Sequence, residues 1–157
     1  MEIPPFSEFL ERHRATVYRF LTAAVGAHEA DDVFQETFLA ALRAYPRLTD
    51  PTRLDRWVLR IASRKAIDHH RATGRRPVPV GEAPTGVVDR APSGDPRLDG
   101  DLGAAVASLP SKQRLAVIHR HVLDRSYPDV AEIMGISEEA ARANVSQGVR
   151  RLRELMR

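Results

Sequence analysis

Apolar residues recur at intervals of three and four along the first half of the chain, which is the spacing of one buried face of an α-helix. Three helices are predicted from this pattern: one from an N-cap at Ser7 to Gly26, one from about Glu29 to Tyr45, and one that ends near Gly74. The positions expected to face a core are Phe6, Phe9, Leu10, Val17, Phe20, Leu21, Ala24, Val33, Phe34, Phe38, Ala41, Leu42, Leu54, Trp57, Val58, Ile61, Ala62 and Ile67.

The second half of the chain has the same helical spacing and clearer cap signals. Its first inward positions are Leu102, Val106, Leu109, Leu115, Ile118 and Val122, with a helix start at Pro110 and Ser111. Ser126 is expected to cap a short helix over Tyr127–Met134, with Asp129 completing a capping box and Gly135 ending the helix. Ser137 is expected to cap a longer helix. Two helices joined by so short a turn are predicted to form a helix-turn-helix.

The last helix has two different faces. Its inward stripe is predicted to be Ala141, Val145, Gly148, Val149, Leu152 and Leu155. Its outer arc carries Arg142, Ala143, Ser146, Gln147 and Arg150. Side chains of these types can reach phosphates and base edges in a major groove of DNA. The alternative interpretation is an ordinary helical hairpin with a solvated polar face.

Between the two halves the composition changes. Residues 77–101 are rich in proline and glycine and lack a helical period, and acidic side chains outnumber basic ones there. An extended acidic linker is predicted, because a loop of this length is uncommon inside one compact domain. The chain is therefore predicted to be all-α, with small helical domains over 1–76 and 102–157.

The third helix has an unusual charge pattern. Arg56, Arg60 and Arg64 follow one another at intervals of four, and Arg71 continues roughly the same stripe. Like charges at this spacing destabilise an isolated helix, and a polyphosphate track would offset the repulsion. A solvated basic face is the alternative. The acidic side chains near the start of the second helix, Asp31 and Asp32 among them, have a simple explanation as partners of the helix dipole.

The overall composition excludes several classes of protein. The 157 residues include no cysteine and carry a formal charge of +3. No apolar run approaches the roughly 20 residues that span a bilayer, and the N-terminus lacks a signal-peptide pattern, so a soluble cytoplasmic protein is expected. His69-His70 and His119-x-His121 lack the spacing of metal ligands, so neither a metal site nor a cofactor is predicted. No nucleophile, base and orienting group occur together, and an enzyme is not expected.

Taken in order, the segments resemble an extracytoplasmic-function (group four) sigma factor of bacterial RNA polymerase. DDVFQETFLAALRAY at 31–45 is similar to the family's region 2.2, and WVLRIASRKAIDHHR at 57–71 to its regions 2.3 and 2.4. LPSKQRLAVIHRHVLDRSYPDVAEIMGIS at 109–137 is similar to region 4. The resemblance covers nearly the whole chain and implies a promoter-specificity subunit without chemistry of its own.

The resemblance also implies partners and site residues. The expected contacts to the polymerase β′ clamp helices are Asp32, Gln35, Glu36 and Leu39. The expected contacts to the -10 promoter element are Arg53, Arg56, Trp57, Arg60, Arg64, Lys65, Asp68 and Arg71. The expected contacts to the -35 element are Ser137, Glu139, Arg142, Ala143, Asn144, Ser146, Gln147 and Arg150. The second domain is expected to rest on the β flap, an anti-sigma factor is an expected partner, and no small-molecule substrate is expected.

Two departures from the family pattern bear on specificity. Arg64 stands where members commonly carry asparagine, and Asn144, Gln147 and Val149 stand where basic residues are frequent. Fewer charges lower the phosphate contribution and leave more of the discrimination to amide side chains, which favour adenine edges. Two other functions stay open: a helix-turn-helix regulator that acts without polymerase, and a sigma-like decoy without initiation activity. For Trp57, a core anchor is an alternative to a place on the DNA surface.

Overall fold

The computed structural model describes residues 2–75 and 100–157, and every regular element in these ranges is helical, which confirms the all-α prediction. The α-helices are α1 (Phe6–Val25), α2 (Ala27–Ala44), α3 (Leu54–Arg75), α4 (Asp101–Ser108), α5 (Ser111–Val117), α6 (Tyr127–Met134) and α7 (Glu138–Leu155). Two 3-10 turns, Tyr45–Arg47 and Pro51–Arg53, connect α2 to α3, and a π-turn, Ile118–Val122, continues α5. The predicted linker lies outside the described residues except for Gly100 and Asp101, and the domain boundaries stay a prediction.

The ends of α1 follow from proline and glycine chemistry. The helix begins at Phe6, two residues earlier than a cap at Ser7 predicts, because the Pro5 carbonyl accepts from the Phe9 N–H at 3.1 Å. The expected Ser7 cap is therefore wrong. The predicted stop at Gly26 is confirmed: this residue has a φ of 87°, which glycine tolerates, and its N–H donates to the Thr22 carbonyl.

Helices α1, α2 and α3 enclose an aromatic core. Phe9 is fully buried, with ring centroids of Tyr45 at 5.2 Å, Trp57 at 5.6 Å and Phe38 at 6.1 Å. Trp57 is partly buried and packs against this core. Leu42, expected to face inward, is 48% exposed because Phe38 and Ala41 already occupy the inward stripe of α2.

The helix-turn-helix is present as predicted. The Ser126 hydroxyl accepts from the Asp129 N–H at 3.2 Å, and Gly135 ends α6 in the left-handed conformation. The Ser137 hydroxyl accepts from the Ala140 N–H at 3.0 Å and starts α7. One half of the expected capping box is replaced, because the Asp129 carboxylate forms an ion pair with Arg56 instead.

Helix α7 packs closely on α5. A Cβ atom added at Gly148 would lie 2.6 Å from Cγ2 of Val117, so only glycine permits this approach. Ala141 and Val145 are buried on the same side. Leu155, expected in this stripe, is 49% exposed since it is the last residue of the helix.

The two halves of the chain share one hydrophobic core, which the sequence did not predict. Val106, Leu115, Ile118, Val122 and Ile133 belong to the same buried cluster as the core of α1, α2 and α3. Helix α3 lies against α6, and α1 against the π-turn. The predicted basic stripe of α3 therefore has a neighbour inside the molecule.

Candidate polymerase and nucleic-acid interfaces

The outer face of α2 presents acidic and apolar groups side by side. Asp32, Gln35, Glu36 and Leu39, the residues expected to bind polymerase, are all exposed and follow at helical intervals. The Leu39 side chain is 51% exposed, and Leu42 extends the apolar part of this face. An exposed pair of leucines flanked by acids suits a partner helix with a mixed apolar and basic surface.

The residues expected at the -10 element divide into two groups along α3. Arg60, Arg64, Asp68 and Arg71 are exposed and Lys65 is half-buried, so this stretch presents mainly cationic groups to solvent. At the other end, Arg56 and Trp57 lie in the first turn of α3, and Arg53 is the last residue of the 3-10 turn before it. The indole of Trp57 is half-buried and packs on the core residue Phe9, whereas the two arginines face α6.

Acidic side chains of α6 pair with the start of α3. Arg56 Nε is 3.0 Å from Asp129 Oδ1, and Arg56 Nη1 is 3.8 Å from Glu132 Oε2. Arg53 Nη1 donates to Glu132 Oε1 at 3.0 Å. The guanidinium of Arg60 lies beside Gly135 in the turn that follows. The structure thus brings part of the expected -10 surface against the helix-turn-helix.

A further ion pair extends this contact, with the acid on α3 and the arginine in the second half of the chain. Arg125 Nη1 donates to Asp55 Oδ2 at 2.6 Å. Burial works to raise the pKa of Asp55, but the hydrogen bond and charge of Arg125 outweigh it and hold the pKa of that carboxyl below its usual value. Asp55 is therefore ionised near neutral pH, and the pair is an ion pair.

The outer arc of α7 is accessible as predicted. Arg142, Ala143, Ser146, Gln147 and Arg150 are exposed, and Ser137 and Glu139 lie exposed at the start of the same helix. The Ser137 hydroxyl is engaged as the helix cap. Asn144 differs from the others, because it is half-buried and its amide donates to the Ala140 carbonyl at 2.9 Å.

Three neighbours orient side chains of this arc, and the sequence pattern gave no indication of any of them. The Tyr127 ring lies under the Arg142 guanidinium at 4.3 Å, and Glu138 Oε1 accepts from the same group at 3.0 Å. Gln113 Nε2, on α5, donates to Gln147 Oε1 at 3.3 Å. These three contacts restrict side chains that would otherwise sample many rotamers.

The contact between the halves of the chain buries a histidine. His119 in the π-turn is fully buried, stacks on Phe20 at 4.5 Å, and places Nε2 2.8 Å from the Ser63 hydroxyl. Burial, with a smaller contribution from the charge of Arg125, lowers the pKa of His119 from 6.5 to about 3. The imidazole is therefore neutral at physiological pH.

A second histidine joins α3 to α5. The His70 ring lies 2.7 Å from both the Ser111 hydroxyl and the Ala24 carbonyl, and Arg114 donates to that carbonyl at 3.2 Å. Burial lowers the pKa of His70, and the charge of Arg114 acts in the same direction. His70 is thus a structural residue between helices.

Metal ligands and membrane helices are not found in the parts of the chain that the structure describes. Over residues 2–75 and 100–157, histidine and acidic side chains nowhere gather in a group of three or more that could hold a metal ion. Within the same ranges, no helix is both long enough and apolar enough to cross a membrane.

Each half of the chain matches the model of a known protein family. The model of Sigma-70 region 2 matches residues 9–76, and the model of Sigma-70, region 4 matches residues 99–152. The relatives include the ECF RNA polymerase sigma factor SigE of Mycolicibacterium smegmatis, with 30% identity over 98% of this chain. They also include the RNA polymerase sigma factor CarQ of Myxococcus xanthus, with 31% identity over 96% of this chain and 88% of the relative. The chain spans 62% of the length of SigE.

Solved structures show the same fold. The sigma factor RpoE from Bartonella quintana, solved with the anti-sigma factor NepR, superposes with a TM-score of 0.73 over 96% of both chains at 23% identity. CnrH, solved with the cytosolic domain of CnrY, gives a TM-score of 0.67 at 20% identity over 96% of this chain and 86% of CnrH. The chain belongs to the sigma-70 family of RNA polymerase sigma factors and, within it, to the extracytoplasmic-function group.

Proposed function

We propose that this protein binds core RNA polymerase and directs it to promoters by recognising a -10 and a -35 element. The observation that carries the proposal is the presence of both sigma regions in order on one chain, at residues 9–76 and 99–152. The accessible faces of α2 and α7, and the basic stretch of α3, are the surfaces that such a role requires.

The face of α2 is the proposed polymerase contact. Asp32, Gln35, Glu36 and Leu39 supply exposed acceptors around an apolar centre. Apolar burial at Leu39 would supply most of the affinity, and the carboxylates would select a basic partner surface. Leu42 is added to this face because the structure leaves it 48% exposed.

The cationic stretch of α3 is the proposed -10 contact. Arg60, Arg64 and Arg71 can follow the backbone of a separated strand, whose phosphates offset their mutual repulsion. Arg64 stands where the resemblance to the family implies an asparagine, so we expect a phosphate contact at that position instead of a base contact. The packing of Trp57 on Phe9 supports a role as a core anchor, in which the indole holds α3 in place.

The outer arc of α7 is the proposed -35 contact. Arg142 and Arg150 can bind phosphates or guanine edges, and Gln147 can pair with an adenine edge. Ser146 and the methyl group of Ala143 complete the set of exposed side chains. Asn144 is a weaker candidate than the sequence indicated, since its amide already donates within α7.

The proposed role is one of binding and requires no chemistry by this chain. Sigma factors in general are not enzymes, and bond formation would belong to the polymerase. Since the proposed partners are core polymerase and promoter DNA, the function places the protein in the cytoplasm. An anti-sigma factor is a further proposed partner, supported by the complexes of RpoE with NepR and of CnrH with CnrY.

Reconstitution with core polymerase tests the proposal. The expected result is that the protein co-elutes with core enzyme and that only the combination gives run-off transcripts. Asp32→Asn/Glu36→Gln is expected to weaken core binding, whereas Glu8→Gln/Glu11→Gln, which removes the same charge from α1, is a matched control. Tight binding of promoter duplex without core enzyme would favour a self-sufficient regulator, and core binding without transcripts would favour a decoy.

A further inference from the structure

Gln113 on α5 lies against α7, the helix proposed to read the -35 element. Because residue 148 is glycine, the backbone of α7 approaches α5 so closely that a Cβ atom there would lie 3.5 Å from the Gln113 carbonyl oxygen. The side chain of Gln113 is half-buried, and that of Gln147, next to Gly148, is exposed on the outer arc of α7. The two side-chain amides therefore meet at the edge of the contact between the helices.

The hydrogen bond between these amides has a defined direction. Gln113 Nε2 donates to Gln147 Oε1 at 3.3 Å. The other polar atom of the Gln113 amide, Oε1, is buried and has no hydrogen-bond partner among the residues that the structure describes. Gln113 thus presents a donor to α7, and a donor requires an acceptor opposite it.

Gln147 meets this donor with its oxygen, which determines what the rest of its amide offers to a ligand. A glutamine amide carries one acceptor oxygen and one NH2 donor at different corners of the same plane. With Oε1 held towards α5, Nε2 is the atom on the far side of the amide. The exposed end of Gln147 therefore offers a hydrogen-bond donor to the DNA groove.

The hydrogen bond, rather than steric contact, sets this orientation. An open cleft of about 230 Å³ between α5 and α7 is lined by Pro110, Gln113, Gln147, Arg150, Arg151 and Glu154. The Gln147 amide has room to turn in this cleft, and its oxygen and NH2 group are similar in size. The net value of one neutral hydrogen bond corresponds to about a three- to tenfold preference for one orientation over the other.

Bases differ in whether they offer a donor or an acceptor in the major groove. Guanine presents acceptors at N7 and O6, and thymine presents an acceptor at O4. Cytosine presents a donor, its N4 amino group, whereas adenine presents one group of each kind. A side chain that offers NH2 therefore pairs with guanine, thymine or adenine and leaves the amino group of cytosine unpaired.

We propose that Gln113 is a positioning residue for base selection: it holds the oxygen of Gln147 towards α5 and so makes Gln147 a hydrogen-bond donor in the groove. The inference rests on the proposed function, because it assumes that α7 reads the -35 element. It adds the class of base that is selected, one with an acceptor edge, and it excludes cytosine. Adenine is compatible, because the second lone pair of Gln147 Oε1 can accept from the adenine amino group.

Replacement of the donor at Gln113 by an acceptor tests the inference. In Gln113→Glu the carboxylate only accepts, so Gln147 is expected to turn Nε2 towards α5 and its oxygen towards the groove. The measurement is the base preference of the holoenzyme in a randomised -35 library, at the position where Gln147→Ala relaxes the preference. The parent should favour guanine or thymine over cytosine about three- to tenfold, and Gln113→Glu should favour cytosine.

Two further variants separate the orientation of the amide from charge and folding. Lys112→Gln changes the net charge by the same amount as Gln113→Glu, at an exposed neighbour, and is expected to weaken binding while it retains the base preference of the parent. Gln113→Leu removes the donor without adding charge and should reduce the preference for guanine over cytosine to less than about twofold. This variant provides the second test if Gln113→Glu does not fold.

Three results would overturn the inference. The first is a preference of the parent for cytosine at that position. The second is the base preference of the parent retained in both Gln113 variants, and the third is an unchanged preference in Gln147→Ala. Run-off transcription by the parent with core polymerase keeps the proposed function separate: active transcription together with any of these results rejects only the role of Gln113, whereas a parent that gives no transcripts rejects the function itself.

Discussion

At the scale of single residues, Tyr127 controls where Arg142 points. The ring lies 4.3 Å below the guanidinium, and Arg120 lies 4.7 Å from the same ring. Cation–π contacts at exposed sites are worth about 0.5–1 kcal/mol. Tyr127→Leu is therefore expected to weaken -35 binding of the holoenzyme about two- to fivefold, measured by fluorescence anisotropy on a promoter fragment. Tyr127→Phe keeps the ring and should bind normally; equal losses in both variants would contradict this role.

Two substitutions on α7 should have different consequences. Arg142→Ala removes a charge and is expected to weaken promoter binding across sequences, with a lower dependence on salt. Gln147→Ala removes an amide that Gln113 orients, and is expected to relax preference at one or two base pairs. Selection of bound sequences from a randomised -35 library measures both effects. An unchanged sequence preference in Gln147→Ala would remove that residue from the base-reading set.

At the scale of elements, the position of α7 depends on one glycine. A Cβ atom at Gly148 would meet Val117 at 2.6 Å, so Gly148→Ala must push α7 away from α5. Alanine favours a helix by up to about 1 kcal/mol, but overpacking costs about 1–3 kcal/mol. A net loss of stability is expected by urea denaturation. Val117→Ala added to Gly148→Ala should recover part of the loss, and failure of that rescue would contradict the packing explanation.

The elements themselves could be read from the sequence, because they depend on local chemistry. Ser126, Gly135 and Ser137 gave the bounds of α6 and the start of α7, since caps act within a few residues. The helical period predicted two buried positions wrongly. Leu42 and Leu155 have the spacing of inward residues, but both side chains are about half exposed. The exposed arc of α7 was predicted correctly for the same local reasons.

At the scale of the whole molecule, the contact between the two halves was not predictable from the pattern. The pair of Asp55 with Arg125 and the pair of Ser63 with His119 join residues distant in sequence, and no periodicity relates them. In the sequence, His119 is one of two histidines whose spacing does not suit metal ligands. In the structure, α1 and α3 together bury its side chain. Long-range packing leaves no local signature, so the contact of Arg53 and Arg56 with α6 emerged only from the structure.

The same contact predicts how stability depends on pH. The folded protein holds His119 neutral with a pKa of about 3, against 6.5 when solvated, so its contribution is complete above about pH 6.5 and falls as the pH drops towards 3. The groups around it are Phe20 and Ser63, which are neutral, and Arg125, whose charge also opposes protonation. The expected loss at pH 5 is about 2 kcal/mol of unfolding free energy.

Denaturation in urea at pH 7.5 and pH 5 measures this loss. His119→Gln keeps a polar side chain at the site and removes the titration, so the variant should lose less stability than the parent between the two pH values. Equal losses in the two proteins would assign the pH dependence to other groups and contradict the role of the buried imidazole.

Mapping of transcription start sites tests most directly whether this chain selects promoters for core polymerase. Core enzyme with and without the protein would transcribe fragmented DNA of the source bacterium, and the 5′ ends of the transcripts would be sequenced. We expect a set of starts that needs the protein and shares one -10 and one -35 sequence at a fixed spacing. Identical starts with and without the protein, or new starts without shared upstream sequences, would contradict it.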